Sequence, residues 1–178
     1  MIKRSIDIYN VQNLDITKGA LAVPEMQTES QKRVLGWREW VALPGLAIPH
    51  IKAKVDTGAK TSALHAYYVE RFERDGAPWV KFGVHPLQAS LGLAIECEAP
   101  VKDVRRVTDS GGHAEMRPVI ETALAIDGQV SVIELTLTDR ETMMFRMLLG
   151  RSALRRRFVV DSGKSFLLGG NKFLPCIE

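Results

Sequence analysis

Short runs with alternating apolar and polar residues, separated by turn residues, fill most of the chain after residue 33. Such runs lie at 34–43, 46–55, 63–71, 79–84, 116–126 and 129–138, and two further strand-like runs between 91 and 107 break near Pro100. The breaks carry Pro44-Gly45, Asp75-Gly76 and Asp127-Gly128, and the last pair is a strong hairpin signal. Strands at this spacing predict an all-β barrel or sandwich rather than βαβ units. A single short helix is predicted from about 151 to 157.

Composition narrows the class of protein. The 178 residues are 46% apolar and 25% charged, with a formal net charge of +3, which is typical of one globular domain. Residues 1–32 lack periodicity and predict an N-terminal extension or arm before a domain at 33–178. Arg residues are scattered except at 105–106 and 155–157, so we predict no nucleic-acid partner. Without a long apolar stretch or a signal peptide, we expect a cytoplasmic protein with no membrane partner.

The motif Asp56-Thr57-Gly58-Ala59 follows the alternating run that ends at Val55. Gly58 permits a tight turn, which presents the Asp56 carboxylate just past a strand end. Two such carboxylates brought together cannot both ionise cheaply, so one keeps its proton. The pair can then act as general acid and general base on a shared water.

A second signal, Met147-Leu148-Leu149-Gly150, is an apolar strand that runs into a glycine and the short helix. An isolated Asp-Thr-Gly is better interpreted as an ordinary turn. The two signals in this order favour a catalytic Asp56. Asp161 also precedes Ser-Gly, but too few residues separate it from Gly150 for a second lobe, so a strand end and turn is the better interpretation.

The run from Val55 to Ala66 resembles a bacterial family of retropepsin-like aspartic peptidases, a group that carries the label "ATP-dependent zinc protease" and is associated with ATP-grasp glutamate ligases. Further matching motifs lie at 117–120, 134–140 and 148–154. The resemblance implies an acid-protease fold, a closed β-barrel with one short C-terminal helix.

The resemblance also implies roles for individual residues. Asp56 is the catalytic carboxylate, in an active-site loop completed by Thr57, Gly58 and Ala59, with Leu148, Leu149 and Gly150 as the supporting strand and glycine. A flap over the cleft is expected at Ser110, Gly111, Gly112 and His113, where paired glycines permit a mobile hairpin tip. Retroviral relatives pair an Asp at the position of Lys60 with the Arg at the position of Arg151. Lys60 and Arg151 are expected to repel each other instead.

One such motif per chain predicts a homodimer that hydrolyses a peptide or protein substrate through one Asp56 from each copy, without cofactor or metal. A second hypothesis is a non-catalytic adaptor that binds a peptide or an ATP-grasp ligase. A third is a metal-dependent protease, as the family label implies. Against the third, His50, His65, His85 and His113 share no ligand spacing. Cys97 is expected to be a buried free thiol, and His65 has no assigned role.

Overall fold

The structure is a computed structural model, and it describes residues 32–87, 92–108, 111–139 and 144–168. Its strands are β1 (Arg33–Gly36), β2 (Arg38–Leu43), β3 (Ile48–Val55), β4 (Ser62–His65), β5 (Tyr68–Arg74), β6 (Ala77–Val84), β7 (Ile95–Pro100), β8 (Asp103–Thr108), β9 (Ala114–Ile126), β10 (Gln129–Thr138), β11 (Met147–Leu149) and β12 (Phe158–Asp161). A 3₁₀ turn spans Pro44–Leu46 and the helix α1 spans Arg151–Leu154. Among these residues no helix has the length and apolar character needed to cross a bilayer.

Six strands form a closed barrel in the order β10, β4, β11, β3, β2 and β9. The ring closes because β9 pairs with β2 at Ala42 and Ala125 and runs antiparallel to β10 over eight residue pairs. Alternate residues of each strand point inward, as the period of two requires. Large apolar side chains fill most of the interior, among them Leu43, Ile51, Leu64, Ile120, Leu124, Leu135, Leu137, Met147 and Leu149.

Three further groups of strands surround the barrel. Strand β8 pairs with the first half of β9, so the two form a long hairpin. Strands β5, β6 and β7 form a three-stranded antiparallel sheet, and its buried face joins the same apolar core through Val80, Phe82 and Cys97. Strands β1 and β12 pair in parallel, and so bring the two ends of the described chain together.

The predicted all-β fold with one short helix is confirmed. Several predicted boundaries are wrong. The run 34–43 divides into β1 and β2 at Trp37, and the strand predicted from residue 46 begins at Ile48. The run 63–71 is not one strand, because the Tyr67 N–H leaves the barrel and bonds the Gly83 carbonyl of the smaller sheet at 2.9 Å. The helix ends at Leu154 rather than 157, and Arg156 adopts a left-handed φ of 69° that no helix can continue through. The predicted extension falls almost wholly on residues outside the described ranges.

Candidate active site

Asp56 begins the loop that follows β3, and its carboxylate is fixed by the backbone of that loop. Asp56 Oδ1 accepts hydrogen bonds from the Gly58 N–H at 2.9 Å and the Ala59 N–H at 3.1 Å. The Asp56 N–H in turn donates to the Leu149 carbonyl at 2.9 Å. Two backbone amides therefore hold Oδ1 of the half-buried Asp56. The other carboxylate oxygen, Oδ2, accepts no hydrogen bond from the residues that the structure describes.

The predicted supporting strand lies against this loop. Strand β11 runs parallel to β3, with Leu149 opposite Val55, and antiparallel to β4, with Leu148 opposite Ala63. The Gly150 N–H donates to the buried Ser62 Oγ at 3.1 Å. Both predicted motifs, which lie about ninety residues apart in sequence, therefore form one hydrogen-bonded unit.

Arg151 supports the same loop by a contact that its side chain makes with backbone oxygens. Arg151 Nη1 donates to the carbonyl oxygens of Thr57 and Gly58, each at 2.8 Å, and the Arg151 N–H donates to the Ala59 carbonyl at 2.9 Å. The repulsion expected between Lys60 and Arg151 stays a prediction, while the Arg151 side chain bonds the backbone of the loop. The Arg151 guanidinium bonds backbone carbonyls, since Lys60 stands at the position where retroviral relatives have the Asp partner. A further contact joins α1 to this loop, because the Lys60 carbonyl accepts the Ser152 N–H at 3.0 Å.

An open cleft of about 700 Å³ lies over Asp56. Its floor crosses three strands of the barrel at residues that pair directly, Thr136, Ala63 and Leu148. The remaining lining residues are Gly58, Ala59, Lys60, Thr61, Arg105, Arg106, Val107, Thr108 and Arg117. Asp56 is the one carboxylate among these described lining residues, and four of the others are cationic.

Two of the cleft arginines are held by acidic neighbours. Arg105 contacts both Glu134 oxygens, at 2.5 Å and 3.1 Å, and also bonds Asp103 at 2.7 Å. Hydrogen bonds from Arg105 and Lys102 lower the pKa of Glu134 to about 2, so this carboxylate stays ionised. The nearly buried Arg117 bonds Glu115 at 2.5 Å, and the Thr138 hydroxyl donates to the same Glu115 oxygen.

Lys60 and Arg106, by contrast, make no ion pair with any acidic residue that the structure describes. All four cationic lining residues were missed as site residues by sequence reasoning. Lys60 and Arg117 lie in motifs that the family resemblance had marked, while Arg105 and Arg106 look like an ordinary solvated pair in the sequence.

The residues of the expected flap lie between β8 and β9, and the structure describes only some of them. Strands β8 and β9 are the arms of its hairpin, and the residues 105–108 of β8 line the cleft. Gly111, Gly112 and His113 are exposed near the tip and do not line the cleft, and Gly112 has a φ of +84°. Ser110 lies outside the described residues. A flap function for these residues stays a prediction.

The remaining candidates lie away from the cleft lining. Asp161 ends β12, and its Oδ1 accepts the Gly163 N–H at 2.9 Å, so the predicted strand end and turn is confirmed. His65 is buried, with 2% of its surface exposed. Within the described ranges no three His, Cys, Asp or Glu side chains come close enough to form a metal site. Cys97 is buried as predicted, and burial raises its pKa to about 11.

Comparison with a solved structure places this fold among known proteins. A Legionella pneumophila protein of unknown function, Lpg0085 (DUF785), superposes with a TM-score of 0.63 at 26% sequence identity. The match covers 76% of this chain and 97% of that one. The Legionella protein therefore shares the barrel over nearly its whole length.

Curated relatives of this chain are named as ligases. The chain is 45% identical over 138 residues to a "Probable alpha-L-glutamate ligase" of Shewanella pealeana, covering 78% of this chain and 30% of that protein. Proteins with the same name from Desulfotalea psychrophila and Parasynechococcus marenigrum are 45% and 46% identical, covering 81% and 79% of this chain. The chain thus spans about a third of the length of these relatives.

The family model that matches is RimB-like, described as "Retropepsin-like aspartic endopeptidase RimB", and it matches residues 34–169. This range contains the Asp56 loop, strand β11, α1 and the whole barrel. The chain therefore belongs to the RimB-like family of retropepsin-like aspartic endopeptidases.

Proposed function

We propose that this chain is an aspartic endopeptidase whose active site forms when two copies each contribute Asp56. The observation that carries the proposal is the Asp56 carboxylate, held by the Gly58 and Ala59 amides at the base of an open cleft. A dyad needs a second carboxylate, and no other acidic residue is among the cleft lining that the structure describes. A second copy related by two-fold symmetry supplies the same residue at the matching position.

In the proposed mechanism the two Asp56 side chains share one proton, since like charges so close together cannot both ionise. The ionised carboxylate accepts a proton from water as its oxygen attacks the peptide carbonyl carbon. The protonated carboxyl donates its proton to the carbonyl oxygen, and a tetrahedral diol forms. The carboxyl that took the proton from water then donates it to the leaving nitrogen, while the other carboxylate takes a proton from one diol hydroxyl. The C–N bond breaks to give a carboxylic acid and an amine, and the dyad again holds one proton.

The charge of the cleft favours acidic substrates. Lys60 and Arg106 have no acidic partner in the described part of the chain, and Arg105 and Arg117 add two more cations to the lining. Carboxylate side chains of a bound peptide would supply the missing partners. Relatives named as α-L-glutamate ligases support the same substrate class, because an enzyme that joins glutamate produces acidic chains.

Digestion of a peptide library by the full chain tests this proposal. We expect cleavage beside acidic residues and its loss in Asp56→Asn, while Asp161→Asn, which alters the other Asp at a strand end, keeps activity. Sedimentation of the active protein tests the dimer. Cleavage by a species that stays monomeric, or cleavage that survives Asp56→Asn, contradicts the dyad. Loss of cleavage with a chelator points instead to the metal-dependent alternative.

A second candidate function is a non-catalytic adaptor for an ATP-grasp glutamate ligase. It is favoured by the relatives themselves, in which a segment similar to this chain makes up about 30% of proteins named as glutamate ligases. Titration of the full chain with such a ligase distinguishes the two functions. The adaptor requires tight binding that Asp56→Asn leaves unchanged, together with no peptide cleavage by the wild-type chain.

A further inference from the structure

We propose that the outer face of β2 and β3 is a docking surface for an acidic polypeptide, and that it continues the floor of the cleft. We call its three cations, Arg38, Lys52 and Lys54, the basic strip. Arg38 and Lys52 are half-buried and Lys54 is exposed. The proposal rests on the proposed function in one respect, since it takes the occupant of the cleft to be a peptide.

The first argument is the charge that the strip leaves uncompensated. Arg38 lies directly opposite Lys54 in the β2–β3 pairing, and like charges in that position destabilise a sheet. Arg38 Nε bonds the Ser165 hydroxyl at 3.2 Å, a neutral partner. None of the three cations pairs with an acidic residue of the described chain, and Glu39, their neighbour on β2, points into the interior. A partner that brings carboxylates removes this repulsion.

The second argument is the arrangement of the neighbouring rings. Arg38 lies 4.5 Å from the ring centroid of Trp37 and 5.0 Å from that of Phe166. Lys52 lies 5.1 Å from the Trp40 centroid and 5.8 Å from that of Phe166, and Trp40 stacks on Phe166. Cation–π contacts hold the side chains in place but leave their positive charge unneutralised.

These rings also distinguish between two kinds of anionic partner. Single-stranded nucleic acids bind largely by stacking bases on free aromatic faces. Here the stacked pair Trp40 and Phe166 is occupied by each other and by Arg38 and Lys52. The surface therefore offers charge and N–H donors rather than ring faces, which suits carboxylates of a polypeptide.

The third argument is continuity with the candidate active site. Direct pairing runs from Thr136 to Ala63, Leu148, Lys54 and Arg38, and residues that pair directly share one face of a sheet. The first three line the cleft floor. With strands about 4.8 Å apart, Arg38 lies within about 14 Å of Ala63 along this row, which an extended peptide spans in about four residues.

Binding is tested on the full chain carrying Asp56→Asn, so that no probe is cut. The probes are a fluorescein-labelled peptide of Glu and Gly, the same peptide with Gln for each Glu, and a single-stranded oligonucleotide of equal charge. Lys52→Gln with Lys54→Gln neutralises the strip. Arg71→Gln with Arg155→Gln is the matched control, since both arginines are exposed, lie outside the strip and the cleft lining, and change the net charge equally.

We expect the strip variant to weaken binding of the acidic peptide about tenfold, and the control variant to weaken it less than about twofold. Thermal melting confirms that both variants fold. Equal losses in the two variants, or none in the strip variant, overturn the proposal. Preference for the oligonucleotide over the acidic peptide overturns the assignment of the partner. Since binding needs no catalysis, a wild-type chain that cuts nothing contradicts the peptidase proposal alone.

Discussion

Gly150 lies so close to Thr61 that no side chain fits between them. A Cβ on residue 150 would lie 2.6 Å from the Thr61 carbonyl carbon, 2.7 Å from its oxygen and 2.9 Å from the Lys60 oxygen. These are backbone atoms of the segment that follows the Asp56 loop, so they cannot rotate away as a side chain would. The close approach is what lets β11 and α1 pack directly on the candidate active site.

Gly150→Ala is therefore expected to reduce both stability and activity. The added methyl group must push the 60–61 backbone away, at a cost of about 1–3 kcal/mol in the free energy of unfolding. Urea unfolding measures the loss. Gly163→Ala is the matched control, because its Cβ would make an ordinary 3.4 Å contact with Asp161 Oδ1. A Gly150→Ala protein as stable as the control would contradict the packing described here.

Arg151→Ala is expected to loosen the Asp56 loop without unfolding the protein. The exposed guanidinium bonds the Thr57 and Gly58 carbonyls, so its removal frees the segment that presents Asp56. A small displacement of a catalytic group lowers the rate about ten- to a hundredfold. Peptide cleavage measures this loss, and faster hydrogen exchange of the Gly58 and Ala59 amides reports the loosening independently of activity. Arg155→Ala, one turn further along the chain, should change neither quantity.

Glu134 should stabilise the protein in a pH-dependent manner. Its folded pKa of about 2 lies below the ordinary value of 4.5, so its contribution to stability is complete above about pH 4.5 and is lost as the pH falls through about 2. Because the ion pairs are partly exposed, we expect Glu134→Gln to cost only about 1 kcal/mol at neutral pH. Urea unfolding at several pH values should show this difference shrinking below pH 4.5. The exposed Glu73→Gln is the control, with no such trend.

Cys97 should resist alkylation while the protein is folded. Burial raises its pKa from 9.0 to about 11, so at pH 8 the reactive thiolate is about a hundredfold scarcer than in an ordinary thiol. A Cys176→Ser background leaves Cys97 as the one thiol of the chain. Iodoacetamide labelling in native buffer should then be at least about a hundredfold slower than in denaturant. Equal rates in the two conditions would show that Cys97 is accessible.

Local pattern was sufficient to predict much of the fold. Alternation of apolar residues and the turn at Asp127-Gly128 predicted β9 and β10 to the residue at their shared turn, because both signals act between neighbours in sequence. The end of α1 was missed, since a left-handed Arg156 has no marker in its side chain. The split between β4 and β5 was missed because it depends on a hydrogen bond to Gly83, a distant residue.

The sequence alone determined that Asp56 sits on a glycine turn after a strand and that Leu148-Leu149-Gly150 is an apolar strand ending in glycine. Both are properties of a few adjacent residues. The tertiary structure decided what surrounds them. The Arg151 side chain bonds backbone carbonyls rather than a carboxylate, and arginines of the β8–β9 hairpin line the cleft. Lys54 and Arg38 continue the row of paired residues that includes Leu148 of the cleft floor. Such relations arise from strand pairing between residues far apart in the chain, which no local pattern encodes.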